Sequence, residues 1–164
     1  MIKPKFNPTN APESEVHARG RYALADDWLP NEEPLRIFRL EERERVINGL
    51  GITASSIVTC GNLGAMGLYD PRLHLLSRHE SRGSSPFVSF GSSVLVRQLV
   101  QDHEWGIDPV VVEAEIGARR SLVHPLISEV LLVGGLSPDE FIAAHEVDDF
   151  IDGLENSSIP TKRT

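Results

Sequence analysis

The chain has 164 residues, with 16 Lys and Arg against 24 Asp and Glu, and its formal net charge of −8 argues against a general nucleic-acid-binding surface. Its 40% apolar side chains suit one globular domain whose core needs neither disulfides nor metals, and the single cysteine, Cys60, excludes a disulfide framework and a multi-cysteine metal site. The polar N-terminal segment with its prolines and the lack of a long apolar run exclude a signal peptide and a membrane span. We therefore expect a cytoplasmic protein, with export by another route left open.

The charge is unevenly distributed along the chain. Residues 1–82 carry 11 basic and 11 acidic side chains, whereas residues 83–164 carry 5 and 13, so the whole net charge lies in the second half. Between Asp139 and Glu155, seven acidic residues occur without a Lys or Arg. The cations that an anionic ligand would need must therefore come from the first half.

The first half of the chain predicts one clear strand between less regular segments. Residues 1–34 form an N-terminal extension with a possible helix from Glu13 to Trp28, which ends before a proline. Leu35 to Leu40 alternates apolar and polar side chains, which is typical of a half-buried strand, and Glu41 to Asn48 predicts one or two helical turns. From Thr53 to Ser85 the periodicity is lost and Gly, Ser and Asn accumulate, as in a long functional loop.

The second half is richer in strands, and the fold class that follows is α+β. Ser137 to Glu140 matches a helix-capping box, but the next segment, from Phe141 to Val147, fits a strand equally well, so both alternatives stay open. Residues 151–164 are poor in apolar side chains, and we expect a flexible tail there. The other predicted elements are a strand from Pro86 to Phe90, a helix from Ser92 or Ser93 to His103, and strands from Pro109 to Ile116 and from Ile127 to Val133.

Metal and nucleophile chemistry finds little support in the sequence. His74 and His79 lie five residues apart and Glu80 follows, but helical ligand pairs need a spacing of three or four, and the surrounding composition is that of a loop. We therefore expect no metal site. His124 and His145 fit ordinary polar positions near strand ends, and Cys60 fits a small, half-buried thiol.

Three polar residues stand out because they interrupt or end apolar strands. Arg39 closes the first strand, Ser89 lies within Phe87-Val88-Ser89-Phe90, and Glu129 shares a strand face with Ile127 and Leu131. A carboxylate on an apolar strand needs a partner, because burying it alone is unfavourable. Spacing alone favours a structural interpretation, in which Glu129 faces water at a sheet edge or pairs with an arginine such as Arg39.

The order of these motifs resembles the arginine, serine-strand, glutamate signature of the ADP-ribosyltransferase superfamily, in the branch of the pertussis-like toxin subunits and of similar fungal domains. In that branch, a strand ending in arginine precedes a short helix and a glycine-rich turn, as in Phe38-Arg39-Leu40 and Asn48-Gly49-Leu50-Gly51. A run of small residues then leads to a Phe-Val-Ser strand, and a glutamate opens a strand that ends at a glycine turn, as in Glu129-Val130-Leu131-Leu132-Val133-Gly134-Gly135.

This resemblance implies a compact mixed or antiparallel two-sheet fold with peripheral helices over residues 35–150, and NAD as the substrate. It implies that Glu129 stabilises the ribosyl cation and accepts a hydrogen bond from the ribose 2′-hydroxyl, while Ser89 orients Glu129. Arg39, beside Phe38, would grip a phosphate or the adjoining ribose, and Phe90 would pack near the nicotinamide. A second source of cations for the pyrophosphate would be Arg82, together with Arg72 and Arg78.

The chain departs from the family pattern at two places. Ser89-Phe90-Gly91 keeps only the first residue of the serine triplet, and Ile127 stands where members that modify arginine, asparagine or guanine have an acceptor-orienting Glu or Gln. The reaction implied is transfer of ADP-ribose to an unidentified protein or nucleic-acid acceptor. Simple NAD hydrolysis and an inactive interaction module, in which Arg39 and Glu129 pair structurally, remain alternatives.

Overall fold

A computed structural model describes residues 2–6, 28–54, 85, 87–102 and 108–161. The predicted helix from Glu13 and most of the predicted loop from Thr53 to Ser85 lie outside these residues. The described strands are β1 (Leu29–Pro30), β2 (Leu35–Glu42), β3 (Phe87–Phe90), β4 (Pro109–Ile116), β5 (Ser121–His124), β6 (Ile127–Val133) and β7 (Phe141–Glu146). The helices are α1 (Arg43–Ile47), α2 (Ser93–Asp102) and α3 (Val147–Thr161), with a 3₁₀ turn at Leu50–Ile52.

The strands form two antiparallel sheets, which confirms the α+β class and the two-sheet architecture. Sheet A has the strand order β1-β5-β6-β3, and sheet B has the order β2-β4-β7. Each pairing within them is antiparallel. None of the described helices is long and apolar enough to cross a membrane.

The alternation of side chains along β2 separates two layers of apolar packing. Ile37 points to the core between the sheets, whereas Leu40 points to the opposite face of sheet B. The core between the sheets takes buried residues from both, including Val112 of β4 and Leu131 of β6. The second cluster lies where α2 and α3 cover sheet B, and its buried members are Leu40, Val96, Val111 and Phe150.

One backbone bridge connects the two sheets, and a second holds the glycine turn after β6. Phe38 and Gly91 exchange N–H···O bonds of 2.8 Å each, which ties β2 to the end of β3. Thr53 bridges Gly135 beyond the end of β6. The φ angles of Gly134 and Gly135 are 83° and 117°, a region that side chains with a Cβ rarely adopt, so the Gly-Gly pair is required by the turn.

Two predictions near the C-terminus are resolved by the structure. Glu140 accepts a hydrogen bond from the backbone N–H of Ser137, as in a capping box, but a strand follows, so the strand alternative is the right one. The loose tail predicted from residue 151 is corrected, because the backbone is helical from Val147 to Thr161. The apolar residues Phe150, Ile151 and Leu154 recur at helical spacing and pack into the second cluster, which favours the helix.

Two short strands, β1 and β5, are not predicted by the sequence, and one predicted helix starts too early. β1 and β5 are too short to show a clear period, and β1 belongs to the segment predicted as an N-terminal extension. The described parts of that segment pack into the core between the sheets, through Ile2 and the buried Trp28. The predicted helix from Glu41 begins only at Arg43, because Glu41 and Glu42 continue the pairing of β2 with β4.

A hydrogen-bonded network lies on the face of sheet B that points away from sheet A. Arg36 bonds to Glu113 at 2.6 Å and to Glu115 at 2.7 Å, and the ring of His145 lies 2.7 Å from the Glu113 carboxylate. Burial acts to raise the pKa of Glu113, but the hydrogen bonds with His145 and Arg36 outweigh it and hold that pKa below its ordinary value of 4.5.

We expect this network to make stability depend on pH in the acid range. Because the folded chain holds the pKa of Glu113 below its unfolded value, the stabilisation is present above about pH 4.5 and is lost as the pH falls through the lower folded value. The Glu113→Gln variant should therefore show a smaller loss of stability between about pH 5 and pH 3 than the wild type. Urea unfolding at a series of pH values measures this, and an equally steep loss in both proteins would contradict it.

Candidate functional site

The three site residues predicted from the sequence line one pocket. Arg39, Ser89 and Glu129 border a cavity of about 160 Å³ at the junction of the two sheets, which we call the Arg39–Glu129 pocket. Its other described lining residues are mainly apolar: Phe38, Leu40, Phe90, Gly91, Leu95, Val96 and Leu99. The pocket is below the size of common small-molecule sites, so a ligand as large as a dinucleotide would not fit wholly within it.

Strand register explains why Ser89 and Glu129 approach each other. β3 pairs with β6, and Ser89 lies directly opposite Leu131. Glu129 is two residues from Leu131 on the same strand, so it shares that face of sheet A and is a diagonal neighbour of Ser89. Both residues are half-buried. This arrangement is the one that sequence analysis derived for Glu129 from the alternation along its strand.

The Arg39 side chain is held by two groups on different strands. Its Nε and Nη2 donate to one carboxylate oxygen of Glu41 at 3.1 and 2.9 Å, and its Nη1 donates to the backbone carbonyl of Ser89 at 2.6 Å. Three of the five guanidinium N–H groups are thereby used, and the other two make no hydrogen bond within the part of the chain that the structure describes. The bond to Ser89 links Arg39 of sheet B to the strand that carries the serine motif.

Glu41 is a site residue that sequence reasoning missed. It is buried, with 6% of its surface exposed, and its second carboxylate oxygen accepts the backbone N–H of Glu42 at 3.0 Å and lies 3.4 Å from Nε of Arg45. The signal that could have found it is its spacing, because a residue two positions after Arg39 in a strand shares the same face. The sequence pattern instead predicts it at the start of a helix.

Gly51 packs directly against the Glu41 side chain, and its replacement should disturb the Arg39 contact. A Cβ at position 51 would lie 2.5 Å from Cγ of Glu41, and that carboxylate is tied on both oxygens. We expect Gly51→Ala to lower the free energy of unfolding by about 1–3 kcal/mol, as for overpacked cores. The matched control is Gly117→Ala, where an added Cβ meets nothing within 4 Å. Equal urea midpoints for the two variants would contradict the packing argument.

The two charged residues in the described lining, Arg39 and Glu129, differ in whether they have a partner of opposite charge. Glu41 forms an ion pair with Arg39 at a distance of 2.9 Å and also lies 3.4 Å from Arg45. Glu129 makes no ion pair or hydrogen bond with any part of the chain that the structure describes. Within the described lining, Glu129 is thus a carboxylate without a cation partner on a mainly apolar wall. This arrangement attracts a cation or a hydroxyl donor.

The two aromatic residues predicted for ligand contact are positioned differently. Phe90 is buried in the core between the sheets and borders the pocket. Phe38 also borders the pocket, but its ring packs on Phe150 of α3, with ring centroids 5.5 Å apart. Phe38 is therefore shared between the pocket wall and the second apolar cluster.

Several other predictions concern residues outside the described ranges or lie away from the pocket. Arg82, with Arg72 and Arg78, falls outside the described residues, as do Cys60, His74 and His79. His124 ends β5 and accepts the backbone N–H of Leu126 at 3.0 Å, while His145 lies in β7. Within the described ranges, no group of three His, Cys, Asp or Glu side chains is arranged to hold a metal ion.

The chain was compared with models of protein families, with characterised proteins and with solved structures. None of the three comparisons finds a match. The resemblance to ADP-ribosyltransferases therefore rests on the sequence motifs, and membership of that superfamily stays a prediction.

Proposed function

We propose that the chain is an NAD-dependent mono-ADP-ribosyltransferase that binds the nicotinamide-ribosyl part of NAD in the Arg39–Glu129 pocket. The observation that supports this most is the convergence of Arg39, Ser89 and Glu129 on one cavity, although they come from three strands in two sheets. The three residues are 50 and 40 positions apart in the chain, so their meeting is a property of the fold.

Glu129 carries the chemistry in this proposal. Breaking the bond between nicotinamide and ribose builds positive charge on the ribose, and a fixed carboxylate stabilises that charge most when nothing else neutralises it. Glu129 meets this condition within the described residues, because it has no cation partner there. It also accepts the ribose 2′-hydroxyl hydrogen bond that the family resemblance assigns to it.

Arg39 fits the ribose better than a phosphate. Its charge is partly balanced by Glu41, which weakens its attraction for an anion, while two N–H groups that bond to none of the described residues can donate to neutral oxygens. We therefore assign Arg39 to a ribose hydroxyl. The pyrophosphate then needs other cations, for which the sequence offers Arg82.

The bonds made and broken define what the acceptor must supply. The bond from the ribose carbon to the nicotinamide nitrogen breaks, and its electron pair leaves with nicotinamide as the neutral base. An acceptor nucleophile then forms a bond to the same carbon and releases its proton to solvent. A protein or nucleic-acid group gives ADP-ribosyl transfer, and water gives NAD hydrolysis.

Hydrolysis is the second candidate, and one observation favours it. Ile127 is 37% exposed and lies on the strand face of Glu129, two residues away. An apolar side chain there offers no hydrogen bond to orient an acceptor. The third reading, an inactive module, expected a structural pair between Arg39 and Glu129, but the described partner of Arg39 is Glu41.

The test is to incubate the full chain with NAD and to measure free nicotinamide by chromatography. We expect release above the rate without protein, and methanol added to the buffer should yield a methyl glycoside if the ribosyl cation is captured by small nucleophiles. Release equal to the protein-free rate, together with no change in melting temperature at millimolar NAD, would contradict the proposal.

A further inference from the structure

The position of Arg39 in the pocket depends on a residue that does not itself border the cavity. Glu41 receives two of the guanidinium N–H groups of Arg39, whereas Glu41 is absent from the described lining. Arg39 and Glu129 both border the cavity but form no ion pair. The pocket thus holds a cation and an anion that are kept apart.

Three neighbours fix the position of the Glu41 side chain. Its first oxygen faces Arg39, its second accepts the N–H of Glu42 at 3.0 Å, and Gly51 packs so near that an added Cβ there would lie 2.5 Å from its Cγ. Arg45 approaches the second oxygen at 3.4 Å from the exposed side. A carboxylate with this many fixed neighbours has one position, so it holds Arg39 in one position too.

Removal of the Glu41 charge would leave Arg39 without a counter-ion. The Arg39 side chain is only 24% exposed, and a largely buried guanidinium takes the nearest carboxylate that it can reach. Glu129 is the one carboxylate among the described residues that line the same pocket. The flexible arginine side chain would then turn towards it and neutralise it.

We propose that Glu41 is a positioning residue, which holds Arg39 away from Glu129 and so preserves the uncompensated Glu129 carboxylate. The kinetic consequence rests on the proposed NAD cleavage, whereas the structural consequence does not. The two are measured separately, so that a failure of one is distinguishable from a failure of the other.

The structural test follows the Arg39 Nε–H resonance in the ¹⁵N-labelled full chain, assigned by its loss in Arg39→Lys. We expect Glu129→Gln alone to leave this resonance in place, because Glu41 holds Arg39. Glu41→Gln should move the resonance, and adding Glu129→Gln to that variant should move it again. The inference is overturned if Glu129→Gln moves the resonance in the wild-type background, or if the double variant matches Glu41→Gln.

A matched control exists on the other face of the same strand. Arg36 donates Nε and Nη2 to one oxygen of Glu115 at 3.2 and 2.7 Å, which reproduces the geometry of the Arg39–Glu41 contact away from the pocket. Glu115→Gln should therefore move the Arg36 resonance and leave that of Arg39 unchanged. Movement of both resonances would show that the change spreads through β2, and it would contradict a local role for Glu41.

The kinetic test compares nicotinamide release by the same variants. We expect Glu41→Gln to lower kcat about tenfold with a smaller change in KM, since neutralising Glu129 weakens the stabilisation of the transition state more than it weakens substrate binding. Glu115→Gln should match the wild type. If the wild type releases nicotinamide and Glu41→Gln does so equally fast, positioning by Glu41 is wrong. If the wild type releases none while the resonances behave as expected, the proposed activity fails and the positioning stands.

Discussion

Glu129→Gln should reduce the turnover of NAD by about a thousandfold, because the amide keeps the shape of the side chain but removes the charge that opposes the ribosyl cation. The loss is expected in kcat rather than in KM, since the ground-state ribose is neutral and still meets a hydrogen-bond acceptor. Nicotinamide release under saturating NAD measures it.

The effect on stability should be small, which separates catalysis from folding. Glu129 is half-buried and makes no ion pair within the described residues, so its replacement breaks no contact there. Ser128→Ala is the matched control, because Ser128 is exposed and points to the other side of β6. Turnover that falls equally in both variants, or a Glu129→Gln protein that turns over like the wild type, would contradict the role of Glu129.

The largest loss of stability is expected at a second arginine, Arg120. Its side chain is 4% exposed and bonds to Glu140 at 2.7 Å, to the carbonyl of Val133 at 2.7 Å, and to the carbonyl of Gly135. These contacts join the start of β5 to the end of β6 and to the turn before β7. Glu140 is similarly buried and also accepts two bonds from Ser137.

Arg120→Ala should therefore lower the free energy of unfolding by about 3–5 kcal/mol, because it leaves Glu140 buried without a cation. For a domain of this size that corresponds to a fall in melting temperature of about 10 °C. Arg36→Ala is the control, since Arg36 is 49% exposed, its partner Glu115 is 54% exposed, and its other partner Glu113 keeps its contact with the ring of His145. The packing argument fails if urea unfolding gives the two variants similar midpoints.

The long strands were predictable from sequence because the pattern of apolar side chains along each of them shows which residues are buried. β4 and β6 have the bounds that their apolar runs predicted, and β2 extends the predicted strand by two residues. Short elements were not predictable, since a two-residue strand such as β1 has no period, and it exists only because β5 provides partners for its backbone. The helix after Glu146 depends on Phe150 packing under α2, a tertiary contact that the acidic composition conceals.

In the candidate site, too, features within one strand were predictable from sequence, whereas contacts between the sheets were not. The alternation along β6 predicted the face on which Glu129 lies, but the proximity of Arg39 depends on how the two sheets meet. A pair between Arg39 and Glu129 was one structural alternative that the sequence left open, but the carboxylate that Arg39 contacts is Glu41, two residues along β2. The pairing of Arg39 with Glu41 on one face of β2 therefore leaves Glu129, the carboxylate in the described lining, without a cation partner among the described residues.

The most direct test of the account is a crystal structure of the Glu129→Gln variant with NAD, in which slow turnover preserves the intact dinucleotide. We expect the nicotinamide-ribosyl linkage in the Arg39–Glu129 pocket, with a ribose hydroxyl within hydrogen-bond distance of Gln at position 129 and of an Arg39 Nη, and with Arg39 still held by Glu41. NAD bound elsewhere on the chain, or no NAD bound at millimolar concentration, would contradict the assignment of this pocket.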